Sequence, residues 1–389
     1  MTVDPVATDS SPGPGSPVAA CTFAVVAGGG TAGHVLPALA VGRALVERGH
    51  PAEAIHYVGS RRGIEARLVP AAGFELTLLP GRGIERRLSR ANLEAVPGLA
   101  VAVGRSLGLV ARRRPAVVLS VGGYAGLPAA LAAVLLRVPL VVAESNAVPG
   151  AANRVAGRFA AAAAVAFEGT PLPRAVVTGN PVRPEVLAVD RSSAGRRAAR
   201  DALGLPPGRS VVAVFGGSLG ALRINEATLD LARSWATRQD VTVYHVVGRR
   251  DWPEMSSRAA ALELDPGLYR PVEYEERMPT LYAAADLAVC RAGATSVAEL
   301  AVVGLPAVLV PLPGAPGDHQ TANARWLAQA GAALSLRDSE CTPVRLAGEL
   351  DALLADQDRL AAMGRRAKQV GRPRAADEVA ALVEEHARK

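Results

Sequence analysis

Short runs of apolar residues, each closed by turn formers and followed by a stretch of helical periodicity, recur from residue 23 almost to the end of the chain. The first, Phe23–Ala27, leads into Gly28-Gly29-Gly30. Val35–Arg48 then carries apolar residues at helical spacing until Gly49. Further runs at Ala54–Val58, Leu76–Leu79, Val117–Val121, Leu140–Ala143 and Ala162–Phe167 are separated by helical or loop stretches. This alternation predicts α/β architecture with a parallel, doubly wound sheet.

Gly179-Asn180-Pro181-Val182-Arg183-Pro184, followed by the polar stretch 190–200, predicts a hinge, after which the pattern restarts. Val211–Phe215 reads as a strand, Gly216-Gly217-Ser218-Leu219-Gly220 as a loop and Ile224–Arg233 as a helix. Strands at Val241–Val247, Leu287–Cys290 and Ala307–Val310 continue the second sheet. Beyond Pro343 the chain is helical, ending near Ala375–Arg388. The expected organisation is a tail over 1–20, a first domain over 21–182, a second over 183–358 and terminal helices over 359–389. In two Rossmann-like sheets ligand sits at the carboxyl ends of the strands, so the expected active site is the cleft between the domains.

Length and composition agree with this. A chain of 389 residues, half of them apolar, suits two domains that each bury a core. Cys21, Cys290 and Cys341 are too few and too scattered for a disulfide framework or a metal cluster. The first twenty residues, rich in Pro, Ser, Gly and Asp, have neither the basic start nor the apolar centre of a signal peptide and read as a disordered tail. The uncharged runs Pro115–Leu136 and Leu300–Gly317 approach the length of a membrane span, but internal glycines and prolines divide each into a strand, a turn and a further element.

The formal net charge is +7, and the stretch from Pro80 to Pro115 holds eight arginines against Glu85 and Glu94. Arg82, Arg86, Arg87 and Arg90 surround Ile84, Leu88 and Leu93. Such a basic rim around apolar residues suits an anionic lipid surface, although a solvated basic face has the same composition. Nucleic acid is excluded as the expected partner because aromatic side chains for stacking are nearly absent from this stretch.

Candidate chemistry gathers at the predicted strand ends. Gly28-Gly29-Gly30-Thr31-Ala32-Gly33-His34 contains a G-x-G-x-x-G spacing. An NAD site would want an acidic residue after the second strand, whereas Gly59-Ser60-Arg61-Arg62 follows it, an arrangement NADP could use. His34 stands at a helix N-terminus, which lowers an imidazole pKa and favours the neutral form a general base needs. Gly216–Ala221 is a second phosphate-type loop. Arg291–Glu299 combines a glycine turn, a Ser/Thr-rich helix start and a carboxylate one turn in, suited to a diphosphate and a ribose diol. Ser296 and Glu299, three apart, also fit a capping box. Asp318-His319-Gln320-Thr321-Ala322-Asn323 is a polar cluster after a strand, and Asp356-Gln357-Asp358 reads as solvated helix surface, so no metal is expected.

Gly29–His34, Gly122-Gly123-Tyr124, Glu144-Ser145-Asn146, Gly179–Arg183, Gly216–Ala221, Arg291–Glu299 and Asp318-His319-Gln320 together resemble, in order and spacing, the MurG family of peptidoglycan glycosyltransferases. The resemblance runs from about Phe23 to the C-terminus. It implies a GT-B fold with an N-terminal acceptor and membrane-docking domain, a C-terminal UDP-GlcNAc domain, and terminal helices packing back on the first domain. It also implies donor contacts from Thr31, Ala32, Gly33, Asn146, Arg183, Ser218, Glu275, Ala294, Thr295, Ser296, Val297, Ala298, Glu299 and Gln320. Acceptor contacts are implied from Gly30, Thr31, Gly33, His34, Tyr124 and Asn146, and His34 and Glu144 are the implied catalytic residues. Two departures stand out. Ala32 replaces a glycine and needs φ below zero, and Glu275 replaces an apolar residue at the uracil contact.

The implied reaction is inverting transfer of GlcNAc to the 4-hydroxyl of lipid I, without cofactor or metal, at the cytoplasmic face of an anionic membrane. It leaves room for other cell-wall synthesis proteins as partners. Two alternatives share the architecture: another UDP-GlcNAc enzyme such as a non-hydrolysing 2-epimerase, and a non-catalytic nucleotide-sugar or lipid-binding subunit.

Overall fold

The computed structural model describes residues 22–61, 63–80, 90–217 and 221–389. Ser218 of the second glycine loop and Arg82, Ile84, Arg86, Arg87 and Leu88 of the basic run lie outside the described residues, as do Cys21 and the side chain of Arg90.

In the first domain the chain runs β1 (Ala24–Ala27), α1 (Ala32–Glu47), β2 (Ile55–Ser60), α2 (Glu65–Ala71), β3 (Glu75–Leu79), α3 (Arg90–Arg113), β4 (Val117–Ser120), α4 (Gly123–Leu135), β5 (Leu140–Glu144), α5 (Ala151–Ala156), β6 (Ala162–Val165) and β7 (Ala175–Val177). The strands form one seven-stranded sheet in the order β3-β2-β1-β4-β5-β6-β7, with every pairing parallel. Successive side chains of β1 point to opposite faces. Ala24 and Val26 pack with α1, and Val25 and Ala27 with α3 and α4, so the strand is buried on both sides.

The second domain follows as α6 (Pro184–Leu187), α7 (Ser193–Ala202), β8 (Ser210–Phe215), α8 (Leu222–Ser234), β9 (Val241–Val246), α9 (Trp252–Ala260), β10 (Tyr269–Val272), α10 (Met278–Ala284), β11 (Leu287–Cys290), α11 (Ala294–Val303), β12 (Ala307–Leu309), α12 (His319–Gln329), β13 (Ala333–Ser335) and α13 (Pro343–Leu354). Its six strands, again all parallel, are ordered β10-β9-β8-β11-β12-β13. Val211, Ala213 and Phe215 of β8 face one side of this sheet, and Val212 and Val214 the other. Val182 and Val186, on either side of Arg183, already belong to the core of this second unit.

The chain closes with α14 (Gln357–Val370) and α15 (Ala375–Glu385). The two part company, where the resemblance sent both to the first domain. Leu360, Met363 and Ala367 of α14 fill the second domain's cores, whereas Val379, Ala380, Leu382 and Val383 of α15 lie in the first domain's core against α1. Only the last helix carries an apolar stripe that fits the first sheet. Arg48 clasps it from outside, bonding Glu384 at 2.6 Å and Asp377 at 2.7 Å.

Neither long uncharged run forms a single helix: Pro115–Leu136 divides into β4 and α4, and Leu300–Gly317 into the end of α11, β12 and a loop. Among the described residues no helix is long and apolar enough to cross a membrane.

Candidate active site

Each sheet reverses its strand order once, between β1 and β4 in the first domain and between β8 and β11 in the second. At such a point the loops leaving adjacent strands diverge and open a crevice. The loops leaving these four strands begin with Gly28-Gly29-Gly30, Gly122-Gly123, Gly216-Gly217 and Arg291-Ala292-Gly293, so four of the sequence's glycine motifs start at the two crevices. Two glycines are forced by close approach. Gly28 has φ +147°, and a Cβ there would lie 2.4 Å from the Gly122 carbonyl oxygen. At Gly123, with φ +73°, a Cβ would lie 2.3 Å from the Gly29 carbonyl oxygen. The first two loops therefore pack backbone against backbone, which no side chain permits.

Thr31 is extended, with φ −129° and ψ 162°, and α1 begins directly after it, three residues earlier than the apolar periodicity indicates. Ala32 is the first helical residue and keeps a negative φ, so its methyl group is accommodated where a left-handed residue would have required glycine. His34 follows in the first turn, its Nδ1 3.3 Å from Thr31 Oγ1. Burial pushes the imidazole pKa below its ordinary 6.5; Glu144 and Glu65 oppose that effect, and His319 from the second domain adds to it. The neutral form is thus favoured chiefly by desolvation, where the sequence alone pointed to the helix N-terminus.

Glu144 ends β5 and is 5% exposed. Its Oε1 accepts from the Asn146 amide at 2.9 Å and from Asn146 Nδ2 at 3.1 Å, while Oε2 accepts from the Gly150 amide at 2.9 Å and from Asn153 Nδ2 at 3.0 Å. With four donors on it, this carboxylate organises the loop that presents Asn146 and has no oxygen left free for a substrate proton. Tyr124, in the first turn of α4, donates its hydroxyl to the Pro80 carbonyl at 2.7 Å, with the Gly98 carbonyl a second acceptor at 3.3 Å. It thereby pins both flanks of the segment that bears the basic run.

In the second domain Gly293, in extended backbone, is the N-cap of α11, and Ser296 lies inside the first turn. The capping-box reading of Ser296 and Glu299 is therefore wrong: the glycine turn lets the helix begin two residues before Ser296, and Glu299 is used elsewhere. Glu299, 4% exposed, accepts from Arg183 Nη2 at 3.1 Å and Nε at 3.3 Å on one oxygen and from the Tyr282 hydroxyl at 2.8 Å on the other. The first amides of α11 have no acceptor within the helix, and among the described residues the buried Thr295 hydroxyl has no hydrogen-bond partner. Val297 is fully buried, Ala294 nearly so, and Ser296 and Ala298 are half-buried at the cleft. Behind the turn Arg291, also buried, donates to the carbonyls of Val310 and Pro311 and to Asp338 at 2.6 Å, tying the ends of β11 and β12 together.

Gln320 lies in the first turn of α12, its side-chain carbonyl accepting the Leu312 amide at 2.9 Å. Glu275, the unexpected acid at the presumed uracil contact, is buried and spoken for: the Tyr244 hydroxyl donates to one oxygen at 2.6 Å and the Arg277 amide to the other at 2.7 Å. Its carboxylate shapes the loop after β10 from within.

The two domains meet around these groups. A Cβ at Gly33 would lie 3.9 Å from Thr295 Oγ1, and one at Gly317 3.1 Å from Val148. Asn323, fully buried, accepts the Ala147 amide at 3.0 Å and donates to Asn146 Oδ1 at 3.2 Å and to the Ala292 carbonyl at 3.1 Å, spanning the cleft. Asn323, Tyr282 and Glu65 were not among the expected site residues. Asn323 was visible in the polar cluster after β12, but Tyr282 and Glu65 sit in helical stretches with nothing local to mark them. Among the described residues no group of three or more His, Cys, Asp and Glu side chains gathers as a metal ligand set.

Two parallel-sheet domains meeting across a cleft, each with a glycine turn at its topological switch point, are the GT-B architecture. The sequence matches the Glycosyltransferase family 28 N-terminal domain over residues 24–165 and the Glycosyltransferase family 28 C-terminal domain over residues 211–379. A protein of Desulforudis audaxviator, named UDP-N-acetylglucosamine--N-acetylmuramyl-(pentapeptide) pyrophosphoryl-undecaprenol N-acetylglucosamine transferase, is 38% identical over 94% of this chain and 98% of its own. One of the same name from a Nocardioides species is 43% identical over 91% of this chain and 95% of its own. The crystal structure of Acinetobacter baumannii MurG superposes with a TM-score of 0.72 at 30% identity, covering 94% of this chain and 99% of that one. The chain belongs to glycosyltransferase family 28, within its MurG group. A UDP-GlcNAc 2-epimerase from Neisseria meningitidis, at 12% identity and a TM-score of 0.63, shares the fold alone.

Proposed function

We propose that this chain transfers N-acetylglucosamine from UDP-GlcNAc to the 4-hydroxyl of the muramyl sugar of lipid I, giving the β-1,4-linked lipid II of peptidoglycan synthesis. The observation that carries the reading is the facing of two strand ends: the α11 N-terminus with its free amides on one wall of the cleft, and His34 on the other. In the tautomer with hydrogen on Nδ1, Thr31 Oγ1 is its acceptor and Nε2 is the base. The acceptor oxygen attacks the anomeric carbon, the bond to UDP breaks on the opposite face, and the hydroxyl proton passes to Nε2. Negative charge developing on UDP is met by the α11 amides, the Thr295 hydroxyl and the Arg183 guanidinium, donors already in place. The role assigned to Glu144 shifts accordingly from proton transfer to holding Asn146.

We further place the enzyme peripherally at the cytoplasmic face of an anionic membrane, docked through the run Arg82, Ile84, Arg86, Arg87, Leu88 and Arg90. Tyr124 supports this reading by joining the acceptor side of the site to both flanks of that run.

Purified protein is incubated with labelled UDP-GlcNAc and a lipid-diphosphate muramyl-peptide acceptor. Label in a β-linked lipid product is the expected result. Acceptor-independent conversion of UDP-GlcNAc to its 2-epimer, or binding without turnover, overturns the assignment.

A further inference from the structure

Beneath the first glycine loop lies a carboxylate that the reaction described above does not use. Glu65 opens α2 five residues beyond the end of β2 and is 1% exposed. It accepts the Gly30 amide at 2.9 Å on Oε2, and the Ser60 amide at 2.7 Å and Ser60 hydroxyl at 2.9 Å on Oε1. Three glycines from three segments make room for it: a Cβ at Gly29, Gly59 or Gly63 would lie 2.4, 2.4 or 2.0 Å from an atom of the Glu65 side chain. Glutamate is almost never buried to this extent without partners, and the three donors described here are neutral. The acidic residue sought after the second strand is thus present, but it points inward. In a nucleotide-binding turn the loop amides are left for an outside phosphate; here an internal anion already holds the Gly30 amide.

We propose that Glu65 is a positioning residue for proton transfer, clamping the Gly28–Gly30 loop to the end of β2 and setting a fixed negative charge beside His34. The proposal rests on His34 being the proton acceptor. The titratable groups whose field reaches the imidazole are Glu144 from β5, Glu65 from α2 and His319 from the second domain, and the Thr31 hydroxyl of its own element lies against Nδ1. Both carboxylates favour the protonated ring and so offset burial, which alone would leave the ring a weaker base.

The test is Glu65→Gln in the full chain, which keeps the size and an acceptor oxygen but removes the charge. The His34 ring is titrated by NMR with labelled histidine, alongside kcat and both KM values against pH. Expected are a His34 titration at lower pH than the parent's, kcat lower by about tenfold or more, and an unchanged KM for UDP-GlcNAc. A ring titration identical to the parent's overturns the proposal, as does a donor KM that changes as much as kcat. If the ring titration moves while the acidic limb of kcat stays in place, Glu65 acts on His34 as proposed and His34 is not the base. Glu65→Asp, which keeps the charge but withdraws its reach from Gly30, serves where the amide variant does not fold. It should keep the parent's ring titration and lose kcat; a parental kcat would overturn the clamp.

Discussion

At the end of β1 the chain turns through Gly28-Gly29-Gly30 and enters α1; at the end of β11 it turns through Arg291-Ala292-Gly293 and enters α11. Both are glycine turns between a buried strand and a helix, and each alone reads as a phosphate site. Their undersides differ. Below the first lies Glu65, buried, accepting the Gly30 amide. Behind the second lies Arg291, buried, bonded to Asp338 and two carbonyls, while among the described residues the Thr295 hydroxyl has no hydrogen-bond partner. An acid among neutral donors lies under one turn and an ion-paired arginine behind the other. The α11 turn suits an incoming anion, and the α1 turn suits a neutral base that must acquire a proton. The direction of the buried charge, rather than the glycine spacing, separates the two.

The largest expected effect falls on the α1 side. His34→Ala should lower kcat about 10²–10⁴-fold with little change in either KM, since a base acts only in the transition state. An effect confined to KM would make His34 a binding residue and erase the contrast. On the α11 side, Glu299→Ala should raise the KM for UDP-GlcNAc, leaving the acceptor KM nearly unchanged. The cost is roughly 1–3 kcal/mol, or about 5- to 150-fold, because Arg183 and the Tyr282 hydroxyl lose their shared acceptor. Equal effects on both substrates would show that the two walls are not separate.

The pH profile sharpens the same contrast with a smaller change. His34 must be neutral to act, and its pKa is lowered, so kcat should hold as pH falls past 6.5 and decline only below it. A midpoint above 6.5 would contradict the burial described. The smallest effect concerns the helix that bridges the domains. The Glu384 carboxyl is held below its ordinary range chiefly by hydrogen bonds from Arg48, so its stabilising contribution is present near neutral pH and lost as pH falls through the carboxylate range. Glu384→Gln should lower Tm by about 1–3 °C at pH 7 and by less at pH 4, as a partly exposed pair allows.

The two walls also differ in how far the sequence revealed them. Central strands were legible because burial on both faces demands unbroken apolar runs, as in Val211–Phe215. The strands β7, β10 and β13 were missed. All three lie at sheet edges, are three or four residues long and only partly buried, and β10 contains Pro271, so none displays such a run. In the site, Arg183, Thr295, Glu299, Gln320 and His34 were legible as motif residues at strand ends. What they touch was not, because it depends on contacts between distant segments. Glu65 lies 35 residues from the Gly30 amide it binds, and Tyr282 seventeen from Glu299. Glu144 misled for the same reason: an acid in a polar loop resembles a catalytic group until its four donors are counted.

The membrane assignment bears on the acceptor side alone. Replacing Ile84 and Leu88 by Ser and Arg86 and Arg87 by Gln should abolish sedimentation with anionic vesicles and activity on a full-length lipid acceptor, while sparing a short-chain, water-soluble one. Binding by the parent should weaken as salt shortens the Debye length from about 10 Å at 0.1 M to 3 Å at 1 M.

The division between the two turns is tested most directly by adding UDP to the labelled protein and following backbone amides by NMR. The charges placed beneath the turns predict large shifts at the amides of Gly293–Ser296, saturating together, and none at Gly28–Gly30. A nucleotide-dependent shift of the Gly30 amide equal to those at α11 would contradict it, because the diphosphate would then be seated over Glu65.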